Sequence, residues 1–152
     1  MDAMPMDFYA PGPANVQCVV FAAQRQGVPA NVLLALASNE GGKNGQLVRN
    51  KNGSYDISHF QINTATYAKE LQPHGVKFDD LRWRGCYNAE IAAWLLRKRL
   101  AEPGEDFWRK AANYHNRKPE FNIPYRNNLM ARATEWANWL QSNYSVVNVS
   151  YR

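Results

Sequence analysis

Val-Leu-Leu-Ala-Leu-Ala-Ser-Asn-Glu-Gly-Gly, residues 32–42, predicts a short helix that is apolar on nearly every side and therefore buried. Pro29 can occupy the first turn of this helix, where its missing N–H costs nothing. The paired glycines Gly41 and Gly42 suit the left-handed conformation that terminates helices. Glu40 is therefore left at the C-terminal end of a buried helix.

This position should raise the pKa of Glu40. The helix macrodipole is negative at the C-terminus, and apolar neighbours remove water from the charge, so both effects favour the protonated form. Cleavage of a glycosidic bond needs an acid of this kind, since it must protonate a poor leaving group. The competing interpretation is that Glu40 is a solvated helix-end residue, which is the usual situation of a single glutamate.

The flanks of this helix predict a second helix before it and a hairpin after it. Apolar residues at positions 16, 19, 20 and 23 recur at helical spacing over residues 14–25, and Gly27 supplies a stop. Asn52-Gly53 is a tight-turn signal between the β-favouring stretches 46–48 and 55–62. We therefore expect a small β-hairpin between helices.

Helical patterns resume in the remainder of the chain, over residues 64–71, 86–101, 105–114 and 123–144. Candidate helix signals are the caps Asn63, Asn88 and Asn122, the break Gly104 and the first-turn Pro124. The last helix carries one apolar stripe, formed by Leu129, Ala133, Trp136, Leu140 and Tyr144. The predicted class is mostly α (α+β), with an irregular leader over residues 1–13 that packs Phe8 and Tyr9 onto one domain over 14–152.

Length and composition fit a single globular domain: the chain has 152 residues, of which 45% are hydrophobic and 20% charged. No apolar run is long enough to span a membrane, and the N-terminus lacks the pattern of a signal peptide. The net charge of +5 permits an anionic partner. The basic residues are spread through helical patterns, which is typical of solvated faces, and no motif points to nucleic-acid binding.

Histidines and cysteines give little chemistry by themselves. His59 and His115 are candidate metal ligands, but no third ligand stands at the spacing of a zinc site, so we expect neither a metal nor another cofactor. Cys18 and Cys86 are compatible with a disulfide or with two buried thiols, and their number alone does not decide between them.

Two segments resemble motifs of lytic transglycosylases and goose-type lysozymes. Residues 33–42 resemble the end of the catalytic helix of that family, with Gly41 in place of the usual Ser. Residues 52–63 are similar to the stretch that ends in the family's Gly-Leu-Met-Gln-Ile-Asn motif. Gln61-Ile62-Asn63 match it directly, whereas Ser58, His59 and Phe60 stand in place of Gly, Leu and Met.

A third segment makes the resemblance specific. Residues 111–116, Ala-Ala-Asn-Tyr-His-Asn, resemble the Ala-x-Tyr-Asn motif, with His115 in the place of Asn. The Tyr-His pair, together with one cysteine in the first helix and another before a later helix, resembles the specialised members attached to secretion, conjugation and pilus machines. The similarity covers residues 15–132, with the three motifs in the family's order and spacing.

This resemblance implies a lysozyme-like domain that cleaves peptidoglycan, with Glu40 as the catalytic acid and base. It implies that the substrate groove is lined by Ser58, Phe60, Gln61, Tyr114 and His115. It further implies a disulfide between Cys18 and Cys86 and a periplasmic or otherwise exported location. The expected partners are peptidoglycan glycan strands and components of a secretion, conjugation or pilus machine.

The reaction expected from the family forms a 1,6-anhydro sugar and needs one carboxylate. Asp56 is the nearest second carboxylate in sequence, and we interpret it as a turn residue of the hairpin rather than a catalytic group. Two alternatives stay open: a hydrolytic muramidase in which Asp56 activates water, and an assembly protein that binds peptidoglycan without cleaving it.

Overall fold

In the computed structural model, residues 9–143 are described in full, and the backbone of the last helix is described to Ser150. The chain forms helices α1 to α7 and strands β1 to β3. The strands are β1 Leu47–Arg49, β2 Tyr55–Ile57 and β3 Ile62–Asn63. The helices are α1 Val16–Gln26, α2 Ala30–Glu40, α3 Thr64–Thr66, α4 Phe78–Trp83, α5 Gly85–Leu100, α6 Phe107–Ala112 and α7 Pro119–Ser150. A π-helical turn, Tyr67–Leu71, and a 3-10 turn, Gln72–His74, continue from α3. The predicted class, mostly α with a small β element, is confirmed.

Helix α2 is the centre of the core, as its sequence predicts. Residues 32–36 are all between 0% and 4% exposed, and α2 packs against α1 on one side and α7 on another. Gly41 ends the helix in the left-handed conformation at φ 62°, and its N–H donates to the Ala37 carbonyl at 2.9 Å. The burial of this helix places Glu40 at the boundary between the core and a surface groove.

The sheet is antiparallel with the order β1-β2-β3. Leu47 pairs with Ile57 and Arg49 with Tyr55, so the predicted hairpin turn lies at residues 50–54. The sequence suggested a strand that continues to residue 62, but the observed strand β2 is shorter. It stops at Ile57 because the chain reverses over residues 58–61, where Ser58 and Gln61 take left-handed φ values of 60° and 51°. The chain then returns as β3, which pairs Ile62 with Ile57.

Three helix signals were wrong. Asn88 is not an N-cap, because α5 begins three residues earlier at Gly85 and Asn88 is fully buried. Asn122 lies inside α7, where its amide donates to the carbonyls of Arg109 and Asn116 at 3.1 and 3.0 Å. Pro124 also lies inside α7, beyond the first turn. Asn63 does cap α3, accepting from the Ala65 N–H at 2.9 Å.

Helix α4 was missed by the sequence analysis. It is only six residues long and has a single buried residue, Leu81, so it shows no apolar periodicity. Its two first-turn acids, Asp79 and Asp80, were the available signal, since carboxylates favour helix N-termini.

The disulfide between Cys18 and Cys86 is present and joins α1 to the start of α5, with 5.6 Å between the Cα atoms. This confirms the pairing that the family resemblance implied. The two cysteines are 68 residues apart, and a loop of that length is worth about 4 kcal/mol in the chain-entropy description.

The segment before α1 packs along the start of α5. Tyr9 stacks on Tyr87 with ring centroids 4.9 Å apart, and the Gly85 N–H donates to the Gly12 carbonyl at 2.8 Å. Residues 1–8, including Phe8, lie outside the described part of the chain.

Helix α7 closes the core over α2. Leu129 and Ala133 are 0% and 1% exposed, and the Trp136 indole N–H donates to the Ser38 hydroxyl at 2.9 Å. Leu140 also packs against the core, whereas the side chain of Tyr144 lies outside the described residues. Within the residues that the structure describes, no helix is both long and apolar enough to cross a membrane.

Candidate active site

A polar groove of about 380 Å³ runs between the sheet and the helices, and Glu40 lies in its wall. Most lining groups can hydrogen-bond a sugar, and amide side chains are the most numerous type among them. The lining residues are Glu40, Asn50, Asn52, Ser54, Asp56, Gln61, Ile62, Asn63, Thr66, Leu95, Arg99, Tyr114, His115 and Asn116. Amides and hydroxyls can both donate and accept, which suits the hydroxyl and acetamido groups of a glycan.

Glu40 has the raised pKa that its position predicts. Burial is the main cause and the negative charge of Asp56 adds to it, while a hydrogen bond from Tyr125 acts in the opposite direction. The net result raises the pKa of Glu40 from its ordinary 4.5 to about 7. A substantial fraction of Glu40 is therefore protonated at neutral pH.

Tyr125, which the sequence analysis missed, makes the direct contact with Glu40. Its hydroxyl donates to Glu40 Oε2 at 2.5 Å. Burial, followed by the charge of Glu40, raises the pKa of Tyr125 well above 10, so the phenol remains a donor. The available signal was its spacing, because Tyr125 lies one helical turn before Leu129 and so extends the buried stripe of α7 toward the end of α2.

Tyr114 lines the same groove as Glu40, but its hydroxyl makes its hydrogen bond to a different residue. Its hydroxyl donates to the Phe60 carbonyl at 2.8 Å. Burial and the charge of Glu40 raise the pKa of Tyr114 well above its ordinary value. The family resemblance implied that Tyr114 lines the substrate groove, and in the structure Tyr114 and Glu40 line the same groove.

The reversal over residues 58–61 presents one side chain, Gln61, to the groove. The side chains of Ser58 and Phe60 are 0% exposed and do not line the groove. Gln61 does line it, and its amide donates to the Ser58 carbonyl at 2.8 Å. The buried Asn88 accepts from the Phe60 N–H at 3.0 Å and so anchors the reversal to α5.

Gly42 allows the catalytic helix to approach this reversal closely. A Cβ atom on Gly42 would lie 1.8 Å from the Ser58 carbonyl oxygen and 2.6 Å from the Gln61 amide nitrogen. The two neighbouring glycines are thus required for different reasons. Gly41 adopts the left-handed conformation at the helix end, and Gly42 leaves room for the backbone of residue 58. From the sequence, both glycines were expected to terminate the helix.

The two candidate histidines occupy different places. His115 is exposed, lines the groove and stacks on Tyr125, with ring centroids 4.4 Å apart and an angle of 4° between the planes. His59 lies outside the groove and accepts from the Ala14 N–H at 3.1 Å. Partial burial of the rings lowers the pKa of both imidazoles. Among the described residues, no group of three or more His, Cys, Asp or Glu side chains could hold a metal ion.

Asp56 shares the groove with Glu40. Its Oδ1 accepts from the side-chain amides of Asn50 and Asn63 at 3.2 and 3.0 Å, which ties β1, β2 and β3 together. Asp56 thus stabilises the hairpin, but it does so from strand β2 and is not the turn residue that the sequence predicted. The same carboxylate nevertheless lines the groove and acts electrostatically on Glu40.

Arg99, which the sequence indicated only as part of a solvated helix face, also lines the groove and is held by an ion pair with the partly buried Glu70. Its two terminal nitrogens donate to the two oxygens of Glu70 at 2.9 and 2.7 Å, and Lys98 donates to Glu70 at 3.0 Å. The Arg99 hydrogen bond is the main reason why the pKa of Glu70 falls to about 2. The pair joins the π-helical turn to α5 at the edge of the groove.

The comparison with protein families found one match over most of the chain. The family model described as Transglycosylase SLT domain matches residues 17–128. The matched segment contains Glu40, Asp56, Tyr114, His115 and Tyr125. The search of curated proteins found no match.

Proposed function

Because the chain belongs to the transglycosylase SLT domain family, whose members cleave peptidoglycan, we propose that it is a lytic transglycosylase with Glu40 as its acid and base. The observation that carries this proposal is the raised pKa of Glu40 in a groove lined by sugar-binding groups. An acid whose pKa is about 7 retains its proton at neutral pH and can still release it in the transition state.

In the first step, Glu40 donates its proton to the oxygen that joins N-acetylmuramic acid to N-acetylglucosamine. The C1–O bond breaks, the N-acetylglucosamine leaves with its new hydroxyl, and positive charge develops at C1 of the muramic ring. Glu40 is now a carboxylate, which the Tyr125 hydroxyl stabilises by its hydrogen bond.

In the second step, the 6-hydroxyl of the muramic sugar attacks C1 and transfers its proton to the Glu40 carboxylate. The product is a 1,6-anhydro sugar, and no water is consumed. The attack is intramolecular, so its effective molarity can be very high. Glu40 recovers its proton and is ready for another cycle.

The negative charges of the groove support the intermediate between these steps. Asp56 lines the same cavity, and its charge already acts on Glu40. A fixed carboxylate near a developing positive charge lowers the barrier without forming a covalent bond. In this proposal, Asp56 is electrostatic and structural.

In this proposal, the substrate is bound by the amide-rich lining of the groove and by the reversal over residues 58–61. We assign Gln61, Tyr114 and His115 to this role because all three line the groove. Ser58 and Phe60 are fully buried and do not line the groove, so we propose that they act indirectly: their carbonyls accept hydrogen bonds from Gln61 and Tyr114 and hold those side chains in place. We assign the catalytic domain to residues 14–152, preceded by a leader over residues 1–13.

A hydrolytic muramidase is a second candidate, and the position of Asp56 favours it. Two carboxylates that share one groove can act as an acid and a water-activating base or nucleophile. In that case the released muramic ends would be reducing sugars. The distinction therefore lies in the product.

The test is the digestion of purified peptidoglycan followed by mass spectrometry of the fragments. We expect ends that are lighter by one water than hydrolytic ends and that resist borohydride reduction. Glu40→Gln should release nothing, whereas Asp56→Asn should lower the rate without changing the product. If the ends are reducible and the Asp56→Asn variant is inactive, the protein is a hydrolytic muramidase and not a transglycosylase.

The substrate places the activity outside the cytoplasm. We propose the periplasm, where a disulfide such as Cys18–Cys86 is maintained, and where a secretion, conjugation or pilus machine must open the wall. Co-purification with components of such a machine after crosslinking would test this assignment.

A further inference from the structure

His115 stands where the family motif has asparagine, and its ring contacts the residue that holds Glu40. We infer that His115 is a positioning residue: its imidazole, stacked on Tyr125, keeps the Tyr125 hydroxyl on the Glu40 carboxyl group. This inference rests on the proposed catalytic role of Glu40 and adds a residue that acts on it through another side chain.

The contact between the rings is parallel and close. The centroids are 4.4 Å apart and the planes differ by 4°. An offset parallel stack of two aromatic rings is one of their favourable arrangements. An asparagine at position 115 could not provide it, because it has no ring to cover the face of Tyr125.

The stack restrains the one rotation that would displace the phenolic oxygen. The oxygen of a tyrosine lies on the line from Cβ through Cγ, so a flip of the ring leaves it in place. Rotation about the Cα–Cβ bond instead carries it to another staggered position. For Tyr125, that rotation would separate its ring from His115 and would break the 2.5 Å hydrogen bond to Glu40.

His115 is itself held by the turn that follows α6. Its backbone N–H donates to the Ala112 carbonyl at 3.0 Å, and the Asn116 N–H donates to the same carbonyl at 3.2 Å. The buried Asn122 of α7 donates to the Asn116 carbonyl at 3.0 Å. The imidazole therefore extends from a turn that is anchored to the same helix that carries Tyr125.

The contribution of His115 comes from its ring and not from its charge. Burial lowers the pKa of His115 from its ordinary 6.5, while the pKa of Glu40 is raised to about 7. The neutral imidazole therefore predominates at pH 7, near the midpoint of Glu40. Replacing it by another ring keeps the stack and changes the charge of the site little at that pH.

The experiment compares His115→Ala and His115→Asn, which remove the ring, with His115→Phe, which retains one. Steady-state rates on a soluble peptidoglycan oligosaccharide give kcat and KM separately, from pH 5 to pH 9. We expect kcat of the two ringless variants to fall by about two- to tenfold, the size of a lost aromatic pair. We expect His115→Phe to restore it.

A second readout does not depend on activity. The Tyr125 hydrogen bond favours the ionised form of Glu40, so loosening it should move the NMR titration midpoint of the Glu40 carboxyl carbon to higher pH. The midpoint in His115→Phe should coincide with that of the unaltered protein. His74→Ala is the matched control, because it removes an edge-on ring contact with Trp94 outside the groove and should change neither readout.

Because His115 also lines the groove, KM can rise in these variants whether or not the inference holds. Three results would overturn it: an unchanged kcat in the ringless variants, no rescue of kcat by phenylalanine, or an unchanged Glu40 midpoint in the ringless variants. Failure of the proposed function would look different. In that case the unaltered protein would not cleave peptidoglycan, whereas the shift of the Glu40 midpoint could still be measured.

Discussion

Replacing Glu40 by Gln should abolish cleavage and, above neutral pH, make the protein more stable. The pKa of Glu40 is raised from 4.5 to about 7, so the folded state binds this proton more tightly than the unfolded state. Between these two values the folded protein holds the proton and the unfolded chain does not. Its free energy of unfolding therefore falls as pH rises through this interval. The stabilising contribution of Glu40 is fully present below pH 4.5 and is lost above pH 7.

The size of this loss in the free energy of unfolding follows from the interval between the two pKa values. From 4.5 to about 7 is about 2.5 pH units, and one unit corresponds to 1.36 kcal/mol, so the loss is about 3 kcal/mol. Glutamine keeps the size of the side chain and can accept from Tyr125, but it cannot ionise. The stability of Glu40→Gln relative to the unaltered protein should therefore rise by about 3 kcal/mol between pH 4 and pH 8.

The assay is urea unfolding of both proteins at several pH values, with circular dichroism to establish that the variant is folded. Glu70→Gln, measured between pH 2 and pH 5, provides a control of opposite sign. Its partner Arg99 lowers the pKa of Glu70 to about 2, so Glu70 stabilises the fold above its unfolded pKa and loses that contribution in acid. A stability difference between Glu40→Gln and the unaltered protein that stays constant from pH 4 to pH 8 would refute the reasoning.

Three further substitutions test the surroundings of Glu40. Tyr125→Phe should lower kcat and shift the alkaline limb of the pH–rate profile upward by roughly one pH unit, since it removes the hydrogen bond that lowers the pKa of Glu40; rates measured from pH 5 to pH 9 would show this. Ser58→Gly should stabilise the protein by about 1 to 2 kcal/mol in urea unfolding, because it relieves a left-handed φ of 60° and removes a buried hydroxyl that has no hydrogen-bond partner among the described residues. Gly42→Ala should be strongly destabilising and inactive, because its Cβ would lie 1.8 Å from the Ser58 carbonyl oxygen, whereas Gly41→Ala should cost about 1 to 2 kcal/mol in the same unfolding assay.

The parts of the fold that could be predicted from the sequence are those decided by local chemistry. The buried character of α2, its end at Gly41 and the raised pKa of Glu40 all follow from residues 32–42. The hairpin turn at residues 50–54 follows from Asn52-Gly53. In each case the residues that determine the feature are neighbours in the chain, so a single sequence contains the information.

The errors occurred where a local signal has two physical meanings. Asparagine before an apolar pattern indicates a helix cap, but the same side chain can satisfy buried backbone groups far away in sequence. Asn88 does the second, donating to the Leu81 carbonyl at 3.1 Å and accepting from the Phe60 N–H at 3.0 Å. The role of Tyr125 could not be predicted for a related reason, since its hydrogen-bond partner Glu40 is 85 residues away in sequence. Only the packing of α7 on α2 brings the two together.

The reversal over residues 58–61 explains why the family motif could be recognised although three of its side chains differ. Its contribution to the site is made by backbone groups: the Phe60 N–H donates to Asn88, the Phe60 carbonyl accepts from Tyr114, and the Ser58 carbonyl accepts from Gln61. A change of side chain that preserves this backbone leaves those contacts in place. Glycine is the family's residue at position 58, and the left-handed φ of 60° is the physical reason, since glycine adopts it without strain. The spacing of the motifs therefore identifies this site better than their residue types do, because the spacing determines the path of the backbone. The residue type matters where a side chain reaches the groove, as that of Gln61 does.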